Sequence, residues 1–190
     1  MSIKKLEEKK YFSVVYDISR PFDKEYEKLT KKSNPTPEEL KKLHKKRRQN
    51  QVIGSFVSEL EQHGVRINWS VFVFPEEKLK TIENILDRYR KLFGYWDIKH
   101  DIYILKYAPE SSPVLYNKVS LHLKMMAEDI VKKMVEKDKK EIKYLHDELN
   151  HLRKLARIFE ISDFNEYVDK LLRKYGVKVS KQKSLLEVLE

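Results

Sequence analysis

The chain has 190 residues with a formal net charge of +10, is 37% charged and contains no cysteine. The missing cysteines exclude disulfides, thiolate zinc sites and cysteine nucleophiles, and the length suits one small domain with an appendage or two small domains. The 40 Lys and Arg residues against 30 Asp and Glu favour a polyanionic partner, most often nucleic acid; an ion-pair-rich surface in a heat-adapted (thermophile) protein is the alternative.

Tyr11 to Ile18 (YFSVVYDI) is β-branched, aromatic and nearly all apolar, which predicts a buried central strand. Arg20 to Asn34 is charged and reads as irregular. Thr36-Pro37-Glu38-Glu39 then combines a capping box with proline at the first helical position. The helix it opens carries Leu40, Leu43, Val52, Ile53, Phe56, Val57 and Leu60 at helical spacing, with Gly64 as its expected cap. Val65 to Phe74 is the second strand signal, dividing near Asn68 into two short strands. Pro75 and the Glu76-Glu77 pair open another helix, with Leu79, Ile82, Ile85, Leu86, Tyr89 and Phe93 on its inner side and Gly94 as its end. Asp101 to Tyr107 is the third strand signal. Strand, helix, two strands, helix, strand is the order of a ferredoxin-like α/β sandwich, an α+β fold with helices on one face of an antiparallel sheet.

From Ser112-Pro113 the character changes. Val131, Val135, Ile142, Leu145, Leu149, Leu152, Ala156 and Phe159 recur at steps near four and three, interrupted by Asp138. That seam predicts a long helical, coiled-coil-like region with coiled-coil or helix-hairpin packing. Ser162 to Tyr175 reads as a further amphipathic helix closed by Gly176, and the tail Val177 to Glu190 is ambiguous. The expected domains are residues 1–110, carrying an insertion at about 21–45, and a helical extension over 111–190. The charged start Met1 to Lys10 has no signal-peptide core and no stretch reaches bilayer length, so the expectation is a cytoplasmic protein with no membrane contact.

Asp17 ends an otherwise apolar strand. A carboxylate there can hold a divalent cation, especially if a dimer brings a second copy opposite it; alternatively it accepts hydrogen bonds from the following loop. The densest positive run is Lys41-Lys42-Leu43-His44-Lys45-Lys46-Arg47-Arg48. On a helix Lys41, His44, Lys45 and Arg48 share a face, and such a stripe can track phosphates. No acidic residue interrupts it to relieve self-repulsion. The six histidines form no metal motif, and no glycine-rich phosphate loop or nucleophile elbow is present. Trp69 and Trp96 could stack bases, but Trp69 reads as a core residue inside a strand.

These residues resemble a known family. Val14-Val15-Tyr16-Asp17-Ile18-Ser19 is similar to the opening strand of the CRISPR-associated adaptation protein "Cas two". Arg47-Arg48 precedes a helix, and His63-Gly64-Val65-Arg66-Ile67-Asn68-Trp69-Ser70-Val71-Phe72 resembles that family's stretch ending in Ser-Val-Phe. Asp101 to Tyr107 falls where its last core strand belongs, so the match covers about residues 10–107. The resemblance implies a ferredoxin-like homodimer that binds nucleic acid, DNA or RNA. It makes Asp17 the catalytic and metal-binding residue, with Mg²⁺ as the cofactor. With nucleic acid as the partner, the basic run supplies the expected binding set, Lys41, His44, Lys45, Lys46, Arg47 and Arg48, together with Arg66. In that family some members are metal-dependent endonucleases and others are non-catalytic bridges between integrase dimers, which adds an integrase partner to the expectations. The insertion and the helical extension depart from the family pattern. A purely architectural nucleic-acid-binding dimer, or a toxin-like ribonuclease from a mobile element, are the rival readings.

Overall fold

The apolar run at the start of the chain becomes an inner strand of a sheet. In the computed structural model, which describes residues 10–19, 24–136 and 139–177, β1 (Tyr11–Ile18) is followed by α1 (Lys24–Thr30) and α2 (Pro37–Glu61). Then come β2 (Val65–Asn68), β3 (Val71–Pro75), α3 (Leu79–Tyr95) and β4 (His100–Lys106). The four strands pair antiparallel in the order β2-β3-β1-β4. Two units divide between Val119 and Ser120, within α4 (Ser112–Glu136); α5 (Lys139–Ile158) and α6 (Phe164–Lys174) follow.

Alternation along the strands sends Phe12, Val14, Tyr16, Phe72, Phe74 and Ile102 to one face of the sheet. There they form one buried core with Ile53, Phe56 and Leu60 of α2 and Ile82, Ile85, Leu86, Tyr89 and Phe93 of α3. The aromatic rings interlock: Phe56 meets Tyr16 and Phe93 edge-on at 5.6 and 5.4 Å. Each fully buried phenylalanine contributes about 1.5–3 kcal/mol of transfer free energy. The opposite face carries Ser13, Val15 and Asp17 beside Leu105, Tyr103 and Asp101.

Several boundaries differ from the sequence expectation. The segment Arg20 to Asn34, expected to be irregular, contains the helix α1. A seven-residue helix is not stable alone; α1 packs against α2, with Leu29 and Leu43 buried. The expected insertion, about 21–45, therefore forms α1 and the first turns of α2. Thr36 caps α2 as expected, its hydroxyl accepting from the Glu39 amide while the Glu39 carboxylate accepts from the Thr36 amide. Gly64, however, does not cap it; α2 ends at Glu61 with Gln62 as cap. Gly64 is needed because a Cβ there would lie 2.3 Å from the Phe74 ring and 2.6 Å from the Val73 carbonyl oxygen.

Gly94 likewise lies inside α3, and Asp97 takes the left-handed turn with φ of 56°. The amides of Asp97 and Ile98 donate to the carbonyls of Gly94 and Phe93, a Schellman closure without glycine. β4 begins one residue earlier than expected, at His100.

In the second unit the seam residues lie on two helices, α4 and α5. On α4 the buried stripe runs through Leu123, Ala127, Ile130, Val131 and Met134, while Val135 is 55% exposed. On α5 it continues through Leu145, Leu149, Leu152 and Ala156, and Phe159 just beyond is buried too. Asp138 lies outside the described residues. α6 contributes Phe164, Val168, Leu171 and Leu172, and Gly176 closes it with φ of 67°. Lys124 of α4 pairs with Asp163 at 2.6 Å, and Arg153 of α5 pairs with Asp169 of α6 at 2.7 Å. Among the described residues no helix is long and apolar enough to cross a membrane.

Candidate nucleic-acid interface

One end of the sheet collects the residues of interest, because the antiparallel pairing brings the end of β1, the β2–β3 turn and the start of β4 together. Ile18 pairs with His100, the Ser19 amide donates to the Lys99 carbonyl, and the Tyr16 amide donates to the Ser70 carbonyl at 2.9 Å. The basic half of α2 is tied to the same end. Lys45 pairs with Asp97 at 3.3 Å, and the Gln49 side-chain amide donates to the Trp96 carbonyl at 2.8 Å.

α2 is 25 residues long, about 37 Å at 1.5 Å per residue, and only its second half joins the sheet core. The first half presents the cations. Lys41, Lys42, His44, Lys45, Arg47 and Arg48 are all exposed. Their mutual repulsion is relieved from outside the run: Glu25 of α1 lies 3.7 Å from Lys42 and 3.0 Å from Lys46, and Asp97 holds Lys45. The Lys46 side chain is only 15% exposed. Lys46 therefore fastens α1 to α2. Lys41, His44 and Arg48 keep their common exposed face, and Arg48 also reaches Gln51 at 3.1 Å.

Arg66 is engaged with protein groups as well. Its guanidinium donates to the Asn68 carbonyl at 3.2 Å and the Trp69 carbonyl at 2.6 Å, and lies 3.8 Å from Glu61. It also stacks on Trp69 and Phe72 at 5.3 and 5.8 Å from the ring centres. An arginine engaged in this way builds the turn.

Trp69 is the reverse case. The sequence reads it as core, yet it lies in the β2–β3 turn and is 78% exposed. The pairing register shifts between Arg66 and Asn68, a bulge that leaves Ile67 unpaired and bends the hairpin. The turn is then pinned: Asn68 Oδ1 accepts from the Ser70 amide at 2.9 Å, and the Trp69 carbonyl accepts from the Tyr16 hydroxyl at 2.8 Å as well as from Arg66.

Asp17 is exposed at the end of β1, directly opposite Asp101 of β4. With Tyr16, Ile18, Trp69 and Ser70 it lines an open surface recess of about 440 Å³. Among the described residues no group of three or more His, Asp or Glu is gathered to hold a metal ion. The two carboxylates nevertheless form a hard oxygen pair on adjacent strands. Mg²⁺ is commonly held by one or two carboxylates with the remaining positions filled by water and substrate oxygens.

Asp101, Glu25 and Asp97 carry no role in the sequence reading. Antiparallel pairing of a strand ending in Asp with a strand beginning in Asp is a usable signal for Asp101. Nothing local marks Glu25, whose partners Lys42 and Lys46 are 17 and 21 positions away (42 less 25 and 46 less 25). No family model, no curated protein and no solved structure matches this chain.

Proposed function

We propose that the first unit is a nucleic-acid-binding domain of ferredoxin-like, Cas-two-like type, with the amino-terminal half of α2 as its phosphate-binding surface. The observation that carries this reading is the exposed face of Lys41, His44 and Arg48, flanked by Arg47, on a helix whose first half lies outside the sheet core. Each phosphate neutralised there releases counterions, so affinity falls with salt in proportion to the contacts made. The strand order β2-β3-β1-β4 with α2 and α3 on one face supports the ferredoxin-like assignment. Replacing Lys41, Arg47 and Arg48 together by Ala should weaken binding to every DNA or RNA sequence alike. It should also lower the slope of log K against log salt by up to about 2.7, at 0.9 per contact. An unchanged slope would move the interface elsewhere.

A second reading is favoured by the facing of Asp17 and Asp101. On it the domain is an Mg²⁺-dependent endonuclease working as a homodimer, in which these two carboxylates hold the ion. A bound ion there would polarise a phosphodiester and lower the pKa of a bound water. Mg²⁺-dependent cleavage abolished in Asp17→Asn, with binding retained, is the expected result. Binding without cleavage in the unaltered protein would leave the architectural role, including a bridge to an integrase partner.

A further inference from the structure

An exposed tryptophan in a turn calls for a physical account, because an indole left in water gives up the transfer free energy that burial supplies. Trp69 is 78% exposed while its carbonyl accepts from Tyr16 and Arg66 and the following amide, of Ser70, donates to the Asn68 side chain. The Arg66 guanidinium sits 5.3 Å from the ring centre. The ring is thus anchored on protein yet open to solvent, and a bound planar group would find it preorganised. Such preorganisation reduces the ordering cost of binding.

The surroundings select the kind of planar group. Trp69 shares its recess with Asp17, whose carboxylate only accepts hydrogen bonds, and Asp101 stands opposite Asp17. The one carboxylate in the lining favours a group that donates hydrogen bonds over a phosphate, which can only accept them. The exposed cations of α2 are tied to this same end of the sheet through Lys45 with Asp97 and Gln49 with Trp96. A strand held by its phosphates on α2 can therefore turn a base toward the recess. Of the common bases only guanine offers two adjacent N–H donors, N1–H and the N2 amino group, to the two oxygens of one carboxylate. Cytosine and adenine place a ring acceptor beside their amino group, and thymine places its single N–H between two carbonyls.

We propose that the Trp69–Asp17 recess is a binding site for an unpaired guanine, stacked on the indole with its Watson–Crick edge on the Asp17 carboxylate. The proposal deepens the nucleic-acid-binding reading of this unit and rests on it for the strand that delivers the base. It gives Asp17 a base-reading role that needs no metal ion.

The chain has two tryptophans, so Trp96→Phe leaves Trp69 as the sole indole reporter. Two probes separate the site from the phosphate surface: guanosine, which has no phosphate, and a dye-labelled single-stranded oligothymidylate with one central guanine. Both should quench Trp69 emission, and thymidine and all-thymine strands should do so about tenfold less well at equal concentration. Trp69→Ala should weaken the guanine-containing strand by about fivefold or more, the range of one lost base stack. Asp17→Asn should keep the quench but erase the preference for guanine. Because Trp69 is exposed, its replacement leaves the core intact, and the Asp17 variant tests the site with the indole in place.

If the labelled strand binds while Trp69 emission stays constant, the guanine site is overturned and the nucleic-acid reading survives. Quenching by guanosine without any strand binding supports the site and overturns that reading. A blue-shifted Trp69 emission indifferent to both probes would set the ring against protein and overturn the site. A preference unchanged in Asp17→Asn would overturn the edge-reading role.

Discussion

Asp17 and Asp101 face each other across β1 and β4, both exposed, at the end of the sheet that also carries the β2–β3 turn. Like charges directly opposite in an antiparallel pair are destabilising, by an amount of order 0.2–1 kcal/mol. Replacing either by Asn should therefore raise the metal-free melting temperature, by up to about 2–4 °C in a chain of this size. The two changes should not add, since the first already removes the repulsion. On the nuclease reading Mg²⁺ should stabilise the unaltered protein and neither variant. If each Asn variant melts lower, the carboxylates are accepting hydrogen bonds that the Asn forms cannot replace, and those bonds outweigh the repulsion.

Three glycines separate backbone cost from close packing. Gly54 and Gly94 lie inside α2 and α3, and a methyl group added at either would meet no atom within 4 Å. Ala at either should stabilise by about 0.8–1 kcal/mol, the ordinary helix preference. Gly64→Ala should do the opposite, because its Cβ would overlap the Phe74 ring and the Val73 carbonyl. Overpacking of this kind costs about 1–3 kcal/mol. Chemical denaturation of the three variants should therefore give shifts of opposite sign, and a neutral Gly64→Ala would mean that the β2–β3 hairpin can move away from α2.

What could be read from the sequence follows from where each signal resides. β1 was legible to the residue, since Tyr11 to Tyr16 is apolar but for Ser13, which is itself buried. The start of α2 was legible because Thr36, Pro37 and Glu39 state a local hydrogen-bond pattern. α1 was not, because its stability comes from partners on α2 that lie far along the chain. The helix ends at Asp97 and Glu160 were hidden for a related reason: both take positive φ, 56° and 53°, without the glycine that usually marks such a cap. In the site, the exposure of α2's cations followed from their density. Trp69 and Arg66 were not legible because a bulge and a pinned turn reverse which of the two side chains faces water.

The capping box gives a pH dependence with a definite sign. Glu39 is held below its ordinary value of 4.5, first by the hydrogen bond from Lys32 and then by the Thr36 amide. A carboxylate with a depressed folded-state pKa stabilises the fold above its unfolded value, and that contribution is lost as pH falls through the folded value. Amide exchange in the first turn of α2 should therefore accelerate on acidification below about 4.5. Glu39→Gln can still accept from the Thr36 amide but cannot titrate, so its first turn should show a flatter profile over the same range. An equal response in both proteins would assign the acid sensitivity to other carboxylates.

Glu25 sets how much of the positive charge on α2 is offered to a polyanion. Its carboxylate lies near two lysines at once, 3.7 Å from Lys42 and 3.0 Å from Lys46. The Glu25 and Lys42 side chains are 52% and 64% exposed, so solvent screens that pair and its share of stability is small. The Lys46 side chain is 15% exposed, which makes its pairing with Glu25 the more consequential one. Glu25→Gln should thus have two effects. α1 should loosen, seen as faster amide exchange over Lys24–Thr30 with the rest of the unit unchanged. The surface beside Lys41, His44 and Arg48 should also gain positive potential, so nucleic acid should bind more tightly at low salt. The slope of log K against log salt should steepen by up to about 0.9 for each lysine that then reaches a phosphate. A variant whose α1 loosens while the slope stays fixed would show that Lys42 and Lys46 lie off the path of the strand, confining the phosphate surface to Lys41, His44, Arg47 and Arg48.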